Sequence, residues 1–356
     1  MKAKATTREP IGLWSHPAVI TPNNFVHKSL SNWSLNIAIG CGHGCRFCYV
    51  PSSSTNKQAA ALAAYGVRDP DAQWGNYVLL RPWDEERFRS SLSAAERTPR
   101  SALNPDGNRA VMLCTTTDPY QVFRHADPVR AKELTRQALS LVERALELIR
   151  DESTINVRIM TRSPLARQHF DLFKSFGHRL LFGMSLPTLR NDLAKAYEPQ
   201  APAPSQRLAT LGAARDAGLN VYVAVAPTYP ECDEEDMRAT LTAIRQIAPV
   251  TIFHEPINIR ADNVERIAAH ARSLGITLRS DIFASPEAWK DYSLNALKTM
   301  MRLCRELGLS DRLHLWPDKK LGSKWVVESV DQPAKYEAWL QRQWGRISEW
   351  PRPSVA

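Results

Sequence analysis

Residues 36 to 49 of the chain read NIAIGCGHGCRFCY, and this stretch decides how the rest of the sequence is interpreted. A short run containing β-branched residues ends at Gly40, and the thiols of Cys41, Cys45 and Cys48 follow with the spacing C-x3-C-x2-C. Three thiolates on one tight loop can hold three irons of a cubic cluster, and the fourth iron then stays open to a small molecule. The stretch therefore predicts a strand followed by an open metal-cluster site.

Two other interpretations of the cysteine loop stay open. A structural zinc site normally needs a fourth cysteine or histidine ligand. His43 could supply it, but this residue lies between two of the cysteines, where the loop is poorly shaped to close a tetrahedron. In the second interpretation the thiols are simply buried and unreactive.

Composition describes an ordinary globular chain with a basic charge. The 356 residues are 44% apolar and 23% charged, and the formal net charge is +9. Such a charge suits a polyanion such as nucleic acid, although many basic enzymes bind none. The apolar runs are too short to span a membrane, and no secretory signal is predicted. We therefore expect a cytoplasmic protein without a membrane partner, in which clustered thiols act as metal ligands or redox groups.

Short apolar runs alternate with amphipathic stretches along most of the chain. The predicted strands are Leu35–Gly40, Ala110–Thr115, Asn156–Met160, Leu180–Ser185, Val221–Ala226, Val250–His254 and Ile276–Arg279. The clearest helical patterns are Pro128–Ile149, Ser205–Ala217 and Ser285–Leu307, and an extra strand and helix are predicted at Asn76–Arg81 and Asp84–Ala95. Such alternation is typical of parallel strands joined by helices. It predicts an α/β fold with a full or partial (β/α) barrel, and a doubly wound open sheet is the alternative.

The domain organisation follows from the same pattern. We expect an irregular N-terminal extension over residues 1–30 and the barrel core over residues 31–280. A C-terminal helix and an aromatic-rich cap should occupy residues 281–356, where several tryptophans are placed to cover one end of the barrel. No G-x-G-x-x-G and no Walker sequence follows a predicted strand, so dinucleotide and ordinary nucleoside-triphosphate binding are not indicated.

The cysteine triplet, with an aromatic residue before its third cysteine and a β/α series after it, resembles the signature of the radical S-adenosylmethionine superfamily. The resemblance implies a [4Fe-4S] cluster held by Cys41, Cys45 and Cys48, with S-adenosylmethionine on the fourth iron. One-electron reduction, from a donor such as flavodoxin or ferredoxin, would then yield a 5′-deoxyadenosyl radical that takes hydrogen from a substrate. By the same resemblance, Phe47 contacts the cofactor and Tyr49 flanks the radical path.

Within that superfamily, the chain resembles spore photoproduct lyase and its DNA-repair-photolyase-like relatives. Six blocks carry the likeness, each at or just beyond the end of a predicted strand: residues 36–45, 114–121, 161–163, Ser185, Glu198 with Arg207, and Pro227 with Pro230. Barrel enzymes place their chemistry at that face.

The resemblance implies a cofactor pocket, and each of its residues also has an ordinary structural interpretation. The hydroxyls of Thr115, Thr116 and Thr117 would line the ribose or the methionyl carboxylate, although the adjoining Asp-Pro pair could be only a turn. Arg162 would bind the methionyl carboxylate where the family often has lysine, or else form a surface salt bridge. Ser185 is expected in the pocket or as a strand-end cap.

Three further positions receive separate expectations. We expect Glu198 and Arg207 to pair and to fix the proline-rich loop between them. His254 is expected in the core rather than in catalysis.

Cys114 is the candidate hydrogen-atom donor to the product radical, because lyases of this family have a cysteine before a similar run. Here one extra residue precedes the aspartate, so the register differs, and the alternative is an inert strand cysteine. Phe47 also departs from the family, because a phenyl ring has no O–H hydrogen to give.

The sequence therefore predicts a radical S-adenosylmethionine enzyme acting on a nucleic-acid base or a modified nucleotide, in a lyase-like or DNA-repair role. A peptide or a small metabolite is the alternative substrate. A non-catalytic nucleic-acid-binding protein with a structural metal site is the alternative of another class. The substrate and the oligomeric state are not indicated by the sequence.

Overall fold

The computed structural model describes residues 9–23, 30–260 and 262–352, apart from the side chain of Ser54. The strands are β1 Ile11–Leu13, β2 Ile20–Pro22, β3 Trp33–Leu35, β4 Ala38–Gly40, β5 Val78–Leu80, β6 Ala110–Leu113, β7 Asn156–Thr161, β8 Leu180–Ser185, β9 Val221–Thr228, β10 Thr251–Pro256 and β11 Leu313–Leu315. The α-helices are α1 Ala59–Ala63, α2 Glu85–Glu96, α3 Pro128–Glu152, α4 Phe170–Lys174, α5 Asn191–Tyr197, α6 Pro204–Asp216, α7 Glu234–Ile247, α8 Asn263–Leu274, α9 Pro286–Glu306, α10 Lys324–Glu328 and α11 Pro333–Trp344.

The main sheet has the order β2-β3-β6-β7-β8-β9-β10-β11. All neighbours from β3 to β11 pair in parallel, and β2 lies antiparallel to β3 at one edge. The strands follow each other in this sheet in the order in which they occur in the chain, as they do when successive crossovers all run in the same direction. Among the described residues no pairing joins β11 back to β2 or β3. The predicted α/β architecture, a full or partial (β/α) barrel, is confirmed as a parallel-strand α/β fold.

Alternate residues of these strands are buried on opposite faces of the sheet. Val111 and Leu113 belong to the large core that also contains the apolar stripe of α3. The opposite face holds a separate cluster that includes Met112, Leu181, Tyr222, Phe253 and Trp316. Strands buried on both faces are typical of parallel sheets covered by helices.

The C-terminal segment covers the end of the sheet where the parallel strands begin. Arg158, near the start of β7, is fully buried and donates through its Nε to the Leu30 carbonyl at 2.9 Å. Its guanidinium lies 5.0 Å from the Trp350 ring centroid and donates to Ser348 Oγ at 3.2 Å. The site described below lies at the other end.

The bounds predicted for the first strand, Leu35–Gly40, are wrong, because this stretch contains parts of two strands that belong to two different sheets. β3 joins the main sheet, whereas β4 pairs antiparallel with β5 in a small sheet of order β1-β5-β4. Between them the Asn36 side chain accepts a hydrogen bond from the Thr116 N–H at 3.0 Å and donates to Thr115 Oγ1 at 3.3 Å. A side chain that hydrogen-bonds neighbouring backbone competes with the strand ladder.

The expected strand at Ile276–Arg279 is also wrong. These residues have no regular structure, and Ile276 is 40% exposed, which a strand inside a parallel sheet would not allow. The last strand is instead β11, whose Leu313 pairs with Ile252 of β10. The N-terminal extension is not wholly irregular either, since β1 and β2 lie within it; residues 1–8 and 24–29 are outside the described part.

Candidate active site

The three cysteines lie on the loop that follows β4. Cys41 and Cys45 are buried, and Cys48 is partly buried. The loop begins at Gly40, whose φ of +84° is strained for any L side chain, and a Cβ there would lie 2.2 Å from the Tyr77 carbonyl oxygen. The shape of the cysteine loop therefore depends on glycine at its first position.

One side of the loop is fixed by polar residues that follow β6. Thr117 Oγ1 donates to the Gly40 carbonyl at 2.5 Å and accepts from Gln121 Nε2 at 2.6 Å. The Gly42 N–H donates to Gln121 Oε1 at 2.6 Å, and Arg124 Nη1 donates to the Gly42 carbonyl at 2.6 Å. The backbone on both sides of Cys41 is thereby held in place before any cofactor binds.

The other side of the loop is fixed by α8, which sequence reasoning missed. The Arg266 guanidinium donates to the Cys48 carbonyl and, at 3.2 Å, to the Arg46 carbonyl, and it forms an ion pair with Asp71. Asn263 Nδ2 donates to the Phe47 carbonyl at 3.3 Å. The contacts with the loop carbonyls join residues more than 200 positions apart in the chain, so no local pattern could have indicated them.

Asp118 is a buried anion rather than only part of a turn. His43 Nε2 lies 3.1 Å from Asp118 Oδ2. The same carboxylate accepts from the Tyr120 N–H at 2.9 Å, from Thr161 Oγ1 at 2.7 Å and from the Arg162 N–H at 2.8 Å. Burial alone would raise the pKa of Asp118, but these partners outweigh it and lower the pKa to about 2.

A second buried carboxylate joins two arginines beside the loop. Glu198 accepts from Arg162 Nε at 2.6 Å and forms an ion pair with Arg207, whose Nη1 also donates to the Ser185 carbonyl at 3.2 Å. Burial raises the pKa of Glu198, yet the two guanidiniums overcome this effect and lower it to about 2. Two positive charges and one negative charge leave this group with a net charge of +1. The expected pairing of Glu198 with Arg207 is present, and Arg162 joins it.

The predicted pocket residues come together at the strand ends, but several of their polar groups already have partners. Thr115 accepts from Asn36, and the Thr117 hydroxyl binds the Gly40 carbonyl. The Ser185 hydroxyl donates to the Ala226 carbonyl at 3.3 Å. A direct role for these hydroxyls at a cofactor therefore stays a prediction.

The aromatic residues of the loop lie next to the charged groups. The Arg162 guanidinium carbon lies 5.7 Å from the Phe47 ring centroid, and the Phe47 centroid lies 5.8 Å from that of Tyr229. Burial raises the pKa of Tyr49, and so do the nearby Cys48 and Glu255. The roles predicted for Phe47 and Tyr49 are untested by this geometry.

Cys114 has a backbone conformation that the strand pattern did not predict. Its φ is +64°, which is unusual for a residue other than glycine. Because of this turn Cys114 belongs to the same core as Val111 and Leu113, not to the face of Met112. Its Sγ lies 3.5 Å from the Leu35 carbonyl oxygen, and burial raises the pKa of the thiol. The proposed role as a hydrogen donor stays a prediction.

His254 is a core residue, as expected. It is fully buried, and its Nδ1 lies 3.1 Å from Thr228 Oγ1 and 3.2 Å from the Val225 carbonyl oxygen. Burial lowers the pKa of this imidazole to about 4, so it is neutral at physiological pH.

The three thiols form a donor set that suits an iron–sulfur cluster. Burial raises the pKa of Cys41, and the proximity of Asp118, Cys45 and Cys48 raises it further. Burial raises the pKa of Cys45 to about 12, while Arg162 acts in the opposite direction. Thiols that are buried together and beside a cation become thiolates when a metal replaces their protons.

A single metal ion fits the loop less well than a cluster does. In the described ranges, no three histidine, cysteine or acidic side chains are placed to share one ion. Each cysteine of a cubic cluster binds a different iron, so the three thiols need not converge on one point. In the zinc interpretation His43 is the fourth ligand, but its Nε2 lies 3.1 Å from Asp118 Oδ2 and so already has a partner.

Comparison with known proteins gives the family. Residues 35–244 match the Radical SAM superfamily. The chain belongs to this superfamily of enzymes, whose members use a [4Fe-4S] cluster and S-adenosylmethionine and need an electron donor.

Two relatives with similar sequences are uncharacterized proteins. One, from Acidianus two-tailed virus, is 31% identical over 251 residues, which cover 69% of this chain and 74% of the relative. Another, from Methanocaldococcus jannaschii, is 22% identical over 274 residues, which cover 76% of this chain and 87% of the relative.

Solved structures of spore photoproduct lyase share the fold. One mutant matches with a TM-score of 0.57 at 13% identity, over 85% of this chain and 80% of the lyase. A second mutant, with bound AdoMet and dinucleoside spore photoproduct, matches with a TM-score of 0.56 over the same shares at 13% identity. In the described part of this chain, no helix is long and apolar enough to cross a membrane.

Proposed function

We propose that this radical S-adenosylmethionine enzyme acts on a nucleic-acid base or a modified nucleotide. In this proposal Cys41, Cys45 and Cys48 each bind one iron of the [4Fe-4S] cluster. When both are bound, the cluster and S-adenosylmethionine supply the 5′-deoxyadenosyl radical that takes a hydrogen atom from the substrate. A small one-electron donor such as flavodoxin or ferredoxin and a cytoplasmic location belong to the same proposal.

The observation that carries the proposal is the clamped cysteine loop beside the cationic group of Arg162, Glu198 and Arg207. Arg162 uses its Nε for Glu198, so its two terminal Nη groups are left to bind a carboxylate side by side. Because Glu198 is itself fixed by Arg207, the guanidinium is held in one orientation. This arrangement suits the methionyl carboxylate of the cofactor.

The polar strand ends would complete the pocket. The Thr116 N–H donates a hydrogen bond to the Asn36 side chain. The side chain of Thr116 is partly exposed at the same edge, where it can bind the ribose or the methionyl group. Thr117 would act through the loop, because its hydroxyl already holds the Gly40 carbonyl. Phe47 and Tyr49 would enclose the pocket from the loop side.

Support for a nucleic-acid substrate comes from three sources. The fold is shared with spore photoproduct lyase, one structure of which holds a dinucleoside spore photoproduct. Five of the six sequence blocks that resemble that family lie at or just after strand ends, and the sixth, Glu198 with Arg207, is joined to them through Arg162. The net charge of +9 favours a phosphate-bearing partner. A DNA-repair role and lyase chemistry are the form of this proposal closest to the family.

The test is an anaerobic single-turnover assay of the cluster-loaded protein with S-adenosylmethionine and reductant. Separate reactions contain a DNA oligonucleotide, an RNA oligonucleotide, a peptide mixture and a small-metabolite extract. We expect the formation of 5′-deoxyadenosine to rise only with a nucleic acid, together with a change in the mass of a released nucleotide. A rise with the peptide or metabolite pool alone would refute the proposed substrate.

A matched pair of variants checks the ligand assignment in the same assay. Cys48→Ala should lose most of the cluster absorption and all cofactor cleavage. Cys304→Ala, a change at a buried free cysteine of α9, should keep both. A colourless wild-type protein that contains zinc instead of iron would overturn the cluster assignment itself.

A further inference from the structure

A cleft opens at the end of the sheet that carries the cysteine loop. It has a volume of about 360 Å³, within the usual range of small-molecule sites. It lies between the segment after β10, the N-terminus of α9 and the segment after β11. Its walls are formed by Ile259, Phe283, Trp289, Lys320, Ser323 and Trp325.

The cleft presents aromatic surface on a rigid base. Trp289 is 3% exposed, and its Nε1 donates to the Ile257 carbonyl at 3.1 Å, so its ring is fixed. Trp325 is 40% exposed, so part of its ring is open to solvent. Phe283 is partly buried beside them. Planar faces of this kind stack on planar ligands.

The charge at the cleft is positive. Lys320 is exposed and forms no ion pair with a described residue, whereas Lys324 on the same segment pairs with Glu328 at 3.7 Å. The Lys290 ammonium lies 5.9 Å from the Trp325 ring centroid, but its charge is paired with Asp291 at 3.2 Å, so Lys320 supplies the unpaired charge of the described lining. None of the described lining residues is acidic. The cleft therefore favours a ligand that combines a flat ring with an anionic group.

One wall of the cleft is formed by a segment that also contacts the cysteine loop: Ile259 lies four residues before Asn263, whose Nδ2 donates to the Phe47 carbonyl at 3.3 Å. Ile259 of its wall is followed directly by Arg260, which pairs with Asp318 and whose charge acts on Tyr49, the residue next to Cys48. Asp318 in turn accepts from the Lys320 N–H at 2.8 Å. A ligand that occupies the cleft would lie beside the mouth of the site rather than across the molecule from it.

We infer that this cleft binds an unpaired base of a single-stranded nucleic acid that stacks on Trp325, while Lys320 contacts the adjoining phosphate. The inference rests on the proposed function and adds a subsite for a nucleotide that flanks the reacting one. A strand that carries bases and phosphates in alternation supplies both chemistries that the cleft offers, and base–aromatic stacking tolerates any sequence.

The experiment measures fluorescence anisotropy of a labelled 12-nucleotide thymidine strand with the full-length, cluster-loaded protein. Trp325→Ala should weaken binding about 5- to 150-fold, and Trp325→Phe should restore most of the affinity because it keeps a ring. Lys320→Gln should reduce the slope of log K against log salt by about one. Lys324→Gln is the matched control, because it removes a lysine of the same segment that does not line the cleft.

A strand of the same length without bases separates stacking from simple charge attraction. Trp325→Ala should leave the binding of this abasic strand unchanged, whereas Lys320→Gln should weaken the binding of both strands. Equal loss for both strands in Trp325→Ala would overturn the stacking role. The cluster absorption and the thermal midpoint of each variant show whether the fold is intact.

The outcomes separate this subsite from the proposed function. If the enzyme converts a nucleotide substrate but Trp325→Ala and Lys320→Gln bind the strand like wild type, the cleft is wrong and the function stands. If wild type binds no strand but binds an acidic peptide in a Trp325-dependent way, the nucleic-acid assignment of the cleft is overturned. If it binds neither probe, the subsite is overturned, and the product assay alone then decides the substrate.

Discussion

The buried carboxylate of Glu198 should make a large and pH-dependent contribution to stability, which Glu198→Gln would remove. The pKa of this group falls from an ordinary 4.5 to about 2 in the folded protein. At about 1.4 kcal/mol per pKa unit, the difference corresponds to about 3 kcal/mol. Breaking one partner of a buried ion pair costs about 3–5 kcal/mol, which agrees with this value. Glutamine keeps the shape of the side chain, so the loss reports charge rather than volume.

The sign of the pH dependence follows from the direction of the shift. Because folding lowers the pKa, the stabilisation is fully present above pH 4.5 and is lost as the pH falls toward 2. Urea unfolding of the reduced, cluster-free chain at several pH values between 7 and 3 would measure this loss of stability. We expect wild type to lose stability steeply below pH 4.5, and Glu198→Gln to start about 3 kcal/mol lower at pH 7 and to lose less on acidification.

The control is a glutamate of the same type in an exposed pair. Glu133 bonds Arg136 at the surface of α3 with a distance of 2.7 Å, and exposed pairs contribute little to stability. Glu133→Gln should therefore unfold at nearly the wild-type urea concentration at every pH. If Glu198→Gln behaves like Glu133→Gln, the two-arginine bridge beside the cysteine loop does not exist as described.

Three more predictions concern the site. Arg162→Ala should weaken S-adenosylmethionine binding about 10- to 150-fold while the cluster spectrum persists, as isothermal titration would show; unchanged affinity would count against the pocket. Asp118→Asn should lower the unfolding free energy by about 2 kcal/mol at pH 7, because the pKa of Asp118 falls from 3.8 to about 2, and full wild-type stability would contradict this. Cys114→Ala should cost about 1 kcal/mol and leave the reaction product unaltered if the residue only packs, whereas aberrant products with normal cofactor cleavage would establish the donor role.

The architecture could be predicted from the sequence because its determinants are local. Leu180–Ser185 was predicted with the bounds that the structure has, since an apolar run between turn residues is short-range information. The long helix Pro128–Glu152 was predicted within three residues for the same reason: Asp127 caps its start and one apolar stripe runs along it. The errors occur where a partner far away in the sequence determines the strand pairing. β4 is an example, because it pairs with β5 and does not join the main sheet.

The candidate site divides in the same way. The cysteine spacing was visible as a pattern, and the family resemblance drew attention to Arg162 and Glu198, so these residues could be named in advance. The hydrogen bonds from Arg266 to the cysteine loop could not be predicted. An arginine in the middle of an amphipathic helix has the pattern of a solvated residue, and only the fold brings it to Cys48. The conformation of Cys114 was equally hidden, because residue type gives almost no indication of a positive φ outside glycine and asparagine.

By the resemblance described above, the position of Arg162 often holds lysine, and the geometry of the proposed site shows what an arginine adds there. A lysine offers one compact ammonium, which would have to choose between Glu198 and a cofactor carboxylate. The Arg162 guanidinium donates from Nε to Glu198 and still presents two parallel N–H donors on its other edge. Arg207 completes the arrangement, because it neutralises Glu198 from the opposite side and leaves the group with one net positive charge. In the proposed site, Arg162 would thus supply the charge that a cofactor carboxylate requires, and its ion pair with Glu198 also anchors the end of β7 to the loop after α5.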